Sequence, residues 1–148
     1  MPVSPSPACS PSLHLPGPLA AELWAQARHE VPRECVGVLG GVQVARPERG
    51  GPEWRARALY PLRNVSARPE TEYEADPGEL LRALRALEAA GLELAALYHS
   101  HPRGPARPSD TDRRRAAYDV PYLIADLASG ELRAFLLPGG EAVELRVG

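Results

Sequence analysis

An amphipathic helix leads directly into a short apolar strand between Asp76 and Tyr98. Asp76 is a good helix cap, the proline after it suits a first helical turn, and Gly91 is a typical helix end. The helix is predicted to bury a leucine stripe of Leu80, Leu81, Leu84 and Leu87. Strands that come before and after helices indicate a mixed sheet with helices packed on it.

The remaining segments fit the same arrangement. A first helix is predicted from Pro18 to just before Pro32, a turn over residues 46–53, and a short helix from about Thr111. The predicted strands are residues 35–45, 54–62, 94–98, 121–127, 132–137 and 142–147. The fold class is therefore α/β of the mixed α+β type.

The 148 residues are enough for one domain with its own core. Six of the 17 prolines fall within the first 18 residues, interleaved with serines. Proline removes a hydrogen-bond donor and fixes φ, which disfavours a helix or a central strand. We therefore expect residues 1–17 to form a disordered Pro/Ser-rich tail and residues 18–148 to form the folded domain.

Composition excludes some classes of protein. The net charge of −2 argues against nucleic acid as the main partner. Two cysteines, Cys9 and Cys35, do not make a disulfide framework and favour a reducing compartment. We find no run of 18 apolar residues that could span a membrane, and the first residues lack the pattern of a signal peptide. A cytoplasmic location is expected, and the oligomeric state is left open.

The candidate site lies between His99 and Asp112. His99 and His101 are two apart at the end of a predicted strand, so both imidazoles face the same side. Asp112 follows across a proline-braced loop. Two imidazoles and one carboxylate leave the fourth tetrahedral position of a zinc ion for water, as in catalytic zinc sites. Ser109 is the candidate donor to a developing oxyanion.

Two points stay open at this stage. The base that such a site needs is expected to be Glu34, with Glu30 as the rival. Ser109 and Asp112 also have the spacing of a helix capping box, which needs no catalytic role. Asp110 and Asp119 are the competing carboxylates for the metal, although the spacing favours Asp112.

The pattern Glu34-x-Cys-x-Gly, followed by His99-x-His101-Pro and by Ser109-x-x-Asp112, resembles the JAMM (MPN+) zinc metalloproteases. Asn64 and a later Tyr-x-x-Asp-Pro also fit, and the resemblance covers roughly residues 18–148. It implies a curved mixed sheet flanked by helices, the cytidine-deaminase-like JAMM/MPN fold. The extra valine between Cys35 and Gly37 departs from the family pattern and makes the position of Glu34 less secure.

The resemblance also implies roles. His99, His101 and Asp112 are expected to bind one Zn²⁺ per chain, Ser109 to stabilise the tetrahedral intermediate, and Glu34 to be the general acid/base. The implied substrate is a ubiquitin-like or β-grasp sulfur-carrier protein, or its conjugate, cleaved after its Gly-Gly tail by a minimal bacterial member. The alternatives are a non-catalytic MPN scaffold and a RadC-like protein associated with DNA repair.

Overall fold

The computed structural model describes residues 11–46, 48 and 51–148. Three helices are interspersed among seven strands in this part of the chain. In chain order they are β1 (Ser12–Leu15), α1 (Gly17–Glu30), β2 (Val36–Val44), β3 (Glu53–Leu62), α2 (Pro77–Ala89), β4 (Glu93–His101), α3 (Asp110–Arg115), β5 (Tyr122–Asp126), β6 (Leu132–Leu136) and β7 (Glu141–Val147).

The strands form one mixed sheet in the order β1-β3-β2-β4-β5-β6-β7. The sheet closes on itself because β1 pairs with both β3 and β7. The pairs of β1 and the pair β4–β5 are parallel, whereas the others are antiparallel. The predicted curved mixed sheet is confirmed, and its closure into a barrel goes beyond the prediction.

Both faces of β2 and β4 are buried, which makes these strands the centre of the domain. Leu39 and Tyr98 pack with α1 residues in one core cluster. Val38 and Leu97 pack in a second cluster with α2 residues. Gly37 allows this arrangement, because a Cβ atom there would overlap the Tyr98 phenol. The two clusters hold the end of β4, where the histidines lie, between two packed layers.

The predicted tail is wrong for residues 12–17, and residues 1–10, including Cys9, lie outside the described residues. Leu13 and Leu15 of β1 are completely buried, and α1 already begins at Gly17. Pro11 and Pro16 flank β1 rather than interrupt it, and the extended backbone that proline favours suits a strand. The local composition therefore concealed a strand that closes the barrel.

The predicted turn over residues 46–53 lies partly outside the described residues, and the other secondary-structure predictions hold within two residues, with two differences. Asp76 caps α2 by accepting a hydrogen bond from the Glu79 N–H at 3.0 Å. Leu81 is 49% exposed, so its place in the buried stripe is wrong, and Ala83 takes a buried position beside Leu87. β4 begins and ends beyond the predicted 94–98 and includes both site histidines. Of the helices described, none has the length and apolar character needed to cross a membrane.

Candidate metal centre

Two histidines and an aspartate meet at the end of β4. His99 Nε2 lies 3.1 Å from both His101 Nε2 and Asp112 Oδ2, and His101 Nε2 lies 3.2 Å from Asp112 Oδ2. The alternation of side chains along β4 turns both imidazoles to one face, and the first turn of α3 carries Asp112 to them. All three side chains are buried. The structure therefore brings together the three predicted ligands.

The spacing of these three atoms fits a tetrahedral metal ion. Ligand atoms bound at about 2.0–2.2 Å to such an ion lie roughly 3.3–3.5 Å apart. His101 Nδ1 lies 2.7 Å from the Pro105 carbonyl, which only accepts, so this nitrogen carries a proton. When His101 is neutral, its Nε2 therefore carries a lone pair, which is the form in which an imidazole binds a metal. The donor set is thus compatible with a metal ion.

Ser109 acts as a helix cap, and this role leaves its hydroxyl proton available for the predicted role as an oxyanion donor. Its Oγ accepts a hydrogen bond from the Asp112 N–H at 3.0 Å, and its N–H donates to Asp112 Oδ2 at 2.9 Å. This capping box begins α3. The same Oδ2 atom faces the imidazoles, so the cap also orients the carboxylate. The Ser109 hydroxyl proton is not used by the cap and stays available as a donor.

Glu34 lies beside the two imidazoles, in the turn before β2. One of its carboxylate oxygens and one ring nitrogen each from His99 and His101 lie within 4.8 Å of one another. This cluster is compatible with a metal site. Within the described part of the chain, Glu34 Oε1 is buried without a hydrogen-bond partner. In the metal-free protein, burial raises the pKa of Glu34 from its ordinary value of 4.5 to about 8, and a cation held by the neighbouring imidazoles would favour the carboxylate that a base requires.

The competing carboxylates are placed elsewhere. Glu30 is the last residue of α1, and the Glu–His–His cluster contains Glu34 instead. Asp110 and Asp119 are exposed, whereas Asp112 is buried against the imidazoles. The extra valine after Cys35 does not displace Glu34 from the site. Cys35 itself is buried, and burial raises its thiol pKa to about 11, which suits a core residue.

Burial and the shared carboxylate set the charges at the site. Burial lowers the pKa of His99, and the hydrogen bond with Asp112 does not offset this effect. Burial acts in the same direction on His101, but Asp112 and the Pro105 carbonyl raise its pKa overall. Burial alone would raise the pKa of Asp112, yet the two imidazoles hold it well below its usual range. Asp112 is therefore an anion, the form in which carboxylates bind metals.

Two cavities are lined in part by residues of the candidate site. One, of about 310 Å³, is lined by Asp112 together with Tyr73, Glu74, Ala75, Thr111 and Arg115. The other, of about 150 Å³, is lined by Glu34 and His101 together with Glu70, Thr71, Pro102, Arg103 and Gly104.

Sequence reasoning did not assign roles to Tyr73 and Asn64. The Tyr73 ring stacks on the His99 imidazole, with ring centroids 4.4 Å apart and planes tilted by 33°. His99 Nδ1, on the same ring, is buried with no hydrogen-bond partner among the described residues. Asn64 is buried in the loop before Tyr73 and bonds to the Glu34 carbonyl. The only sequence signal for either residue was its fit to the family pattern.

A curved mixed sheet that carries a buried His–His–Asp cluster with a neighbouring glutamate is what the JAMM/MPN resemblance implies. A family model described as prokaryotic homologs of the JAB domain matches residues 16–138. The chain therefore belongs to this family, and the predicted JAMM/MPN membership and fold are confirmed.

Two relatives show where the chain falls within the family. It is 43% identical over 135 residues to a probable TtuB-protein conjugate cleaving protease of Thermus thermophilus, covering 91% of this chain and 82% of the relative. It is 38% identical over 122 residues to a desampylase of Haloferax volcanii, covering 82% and 81%. These relatives are named for cleavage reactions.

Solved structures agree with the fold. A protein of Desulfitobacterium hafniense matches with a TM-score of 0.79 and 30% identity over 92% of each chain. A JAB1/MPN domain protein of Archaeoglobus fulgidus matches with a TM-score of 0.54 and 22% identity, covering 92% of this chain and 97% of the other. At that identity the second comparison supports the fold alone.

Proposed function

We propose that this protein is a zinc-dependent peptidase or isopeptidase. It hydrolyses the amide bond after the Gly-Gly tail of a ubiquitin-like or sulfur-carrier protein. The observation that carries the proposal is the buried triangle of His99, His101 and Asp112 with Glu34 beside it. The relatives named as a conjugate cleaving protease and a desampylase support the choice of substrate. A cytoplasmic location is part of the proposal.

His99, His101 and Asp112 would hold the zinc ion. When bound, the ion supplies a Lewis acid that polarises the amide carbonyl and makes a water molecule more acidic. Glu34 takes a proton from the attacking water and passes it to the departing amine as the carbon–nitrogen bond breaks. The Ser109 hydroxyl donates a hydrogen bond to the oxygen that gains negative charge.

The position of Glu34 supports an assignment of the two cavities to the two sides of the scissile bond. Glu34 must reach the departing nitrogen, and it lines the smaller cavity. The leaving amine therefore occupies the cavity that also contains Glu70 and Arg103. The Gly-Gly tail occupies the larger cavity beside Tyr73, where its lack of side chains suits a passage next to a buried metal centre.

The test is hydrolysis of defined conjugates of a β-grasp carrier protein that ends in Gly-Gly. The carrier is joined to free cysteine, to a lysine side chain or to a peptide, and the products are identified by mass spectrometry. We expect chelator-sensitive release of intact carrier, and one zinc ion per chain by metal analysis. A chain that binds no zinc and cleaves none of the conjugates would be a scaffold, and duplex DNA binding at physiological salt would favour the RadC-like alternative.

Variants separate the proposed roles. Asp112→Ala is expected to lose the metal, because it removes the only carboxylate of the triangle. Glu34→Gln is expected to keep the metal and to retain only a small residual rate of hydrolysis. Ser109→Ala is expected to keep the metal and slow turnover. Loss of zinc from Ser109→Ala together with retention by Asp112→Ala would overturn these assignments.

A further inference from the structure

Asn64 makes an unusually complete set of hydrogen bonds for a side chain in a loop. It is 5% exposed and lies two residues beyond the end of β3. Its Nδ2 group donates at 3.0–3.3 Å to three carbonyls, and its Oδ1 accepts at 3.0 Å from two backbone N–H groups. The three carbonyls belong to Glu34, Pro69 and Glu72, and the two N–H groups to Ser66 and Glu74.

These bonds join two segments that contribute to the site. One is the turn that carries Glu34, whose N–H also donates to the Pro69 carbonyl at 2.7 Å. The other is the chain on both sides of Tyr73, since Asn64 binds the carbonyl before this residue and the N–H after it. The Tyr73 ring in turn stacks on His99. The Asn64 side chain therefore links the backbone of Glu34 to the backbone around Tyr73, whose ring packs on the predicted metal ligand His99.

The backbone matters here because the Glu34 side chain has little else to hold it. Its Oε1 atom is buried without a hydrogen bond in the described part of the chain. A carboxylate that is to move a proton must keep a fixed distance from the reacting atoms, and an error of about 1 Å can cost roughly 100-fold in rate. The bonds at the main chain of Glu34 are thus the means by which the fold sets its position.

We propose that Asn64 is a positioning residue, which fixes Glu34 and Tyr73 relative to the metal-binding side chains. The inference rests on the proposed function, because it acts through the role of Glu34 in hydrolysis. Asn64 touches none of His99, His101 and Asp112 in its hydrogen-bond set, so its loss is expected to impair turnover while metal binding is retained.

Two substitutions test this role. Asn64→Asp keeps the acceptor for Ser66 and Glu74 but replaces the donor with an oxygen that repels three carbonyls. Asn64→Ser removes most of the bonds without burying a charge, in case the first variant does not fold. Ser66→Ala is the matched control, because it removes the acceptor for the Arg68 N–H in the same loop and leaves the Asn64 bonds intact.

We expect each Asn64 variant to retain one zinc ion per chain and to lose about 10- to 100-fold in kcat with KM changed by less than about 3-fold. Ser66→Ala is expected to stay within about 3-fold of the wild-type protein. In a Glu34→Gln background, measured under single-turnover conditions, Asn64→Ser is expected to add less than a 3-fold loss. A residue with a general structural role would instead give the same loss in both backgrounds.

Hydrogen exchange of the metal-free protein gives a readout that does not depend on activity. The Glu34 amide is expected to exchange at least 10-fold faster in Asn64→Ser, with β4 amides unchanged. Unchanged kcat, an equal loss in the Glu34→Gln background, or failure of both variants to fold would overturn the proposal. A wild-type protein that cleaves no conjugate would instead refute the proposed function, and the exchange measurement would still test the link to Glu34.

Discussion

Replacing Glu34 with glutamine is expected to stabilise the metal-free protein and to leave only a small residual rate of hydrolysis. Burial raises the pKa of Glu34 to about 8, and no partner holds its Oε1 atom among the described residues. The folded chain therefore keeps a proton on this group that the unfolded chain loses at a much lower pH. Glutamine has nearly the same shape and needs no proton, so it removes the cost of burying an ionisable group.

The sign and size of this stability difference follow from the linkage between proton binding and folding. A raised folded-state pKa contributes stability that is fully present below the unfolded value of 4.5 and is lost as the pH rises to about 8. Each pH unit in this window costs about 1.36 kcal/mol, so the loss at pH 7 is about 3 kcal/mol. Glu34→Gln is therefore expected to exceed the wild-type protein by about 3 kcal/mol at pH 7 and to match it near pH 4.5.

The assay is urea unfolding in the presence of a chelator at several pH values between 4.5 and 8. The exposed Glu70→Gln, in the same cavity, is the control and is expected to stay within about 0.5 kcal/mol of the wild-type protein throughout. A Glu34→Gln variant that is less stable than the wild-type protein at pH 7, or whose advantage does not depend on pH, would refute the reasoning.

Three further predictions test other parts of the fold and site. Leu15→Ala is expected to cost about 2–5 kcal/mol by urea unfolding, whereas the exposed Leu81→Ala stays within about 0.5, and a neutral Leu15→Ala would contradict the packing of β1. Ser109→Ala is expected to lose about 1 kcal/mol of stability because the helix cap is removed, and to raise the activation barrier of hydrolysis by about 2.7–4 kcal/mol. Ser109→Thr is expected to restore both the stability and the rate. A fully active Ser109→Ala would exclude the hydroxyl as a donor. Burial would raise the pKa of Glu53, but three arginines lower it overall, so the stabilisation from its carboxylate is lost only as the pH falls through that lowered pKa. Glu53→Gln is therefore expected to cost about 1–3 kcal/mol of stability at pH 7 and nothing in strong acid. An equal cost at both pH values would refute this explanation.

The fold was predictable where the local pattern and the tertiary structure agree. Asp76 caps α2 as expected, because capping depends on residues within one turn. β1 was missed because its evidence is not local: Leu13 and Leu15 are buried by β3 and β7, whose pairing no short window contains. The prediction that Leu81 is buried was wrong for a similar reason, because the helical period places it in the apolar stripe but the fold leaves it exposed.

The same division applies to the site. His99 and His101 could be predicted as a pair, because strand alternation alone places them on one face. The residue that binds the Glu34 backbone, Asn64, could not be predicted from a local pattern. Asn64 is thirty residues away in sequence, and its role depends on how the loop before α2 folds over the turn before β2. An asparagine after a strand is common and carries no sign of the five bonds it makes.

The capping box and the candidate metal centre share one oxygen atom, Asp112 Oδ2. Asp112 Oδ2 accepts a hydrogen bond from the Ser109 N–H and faces both imidazoles, so the capping box of α3 holds the carboxylate toward β4. A carboxylate held in this way loses little conformational freedom when it binds a metal. Under the proposed function, the capping box of this six-residue helix would therefore orient Asp112 before a metal ion binds.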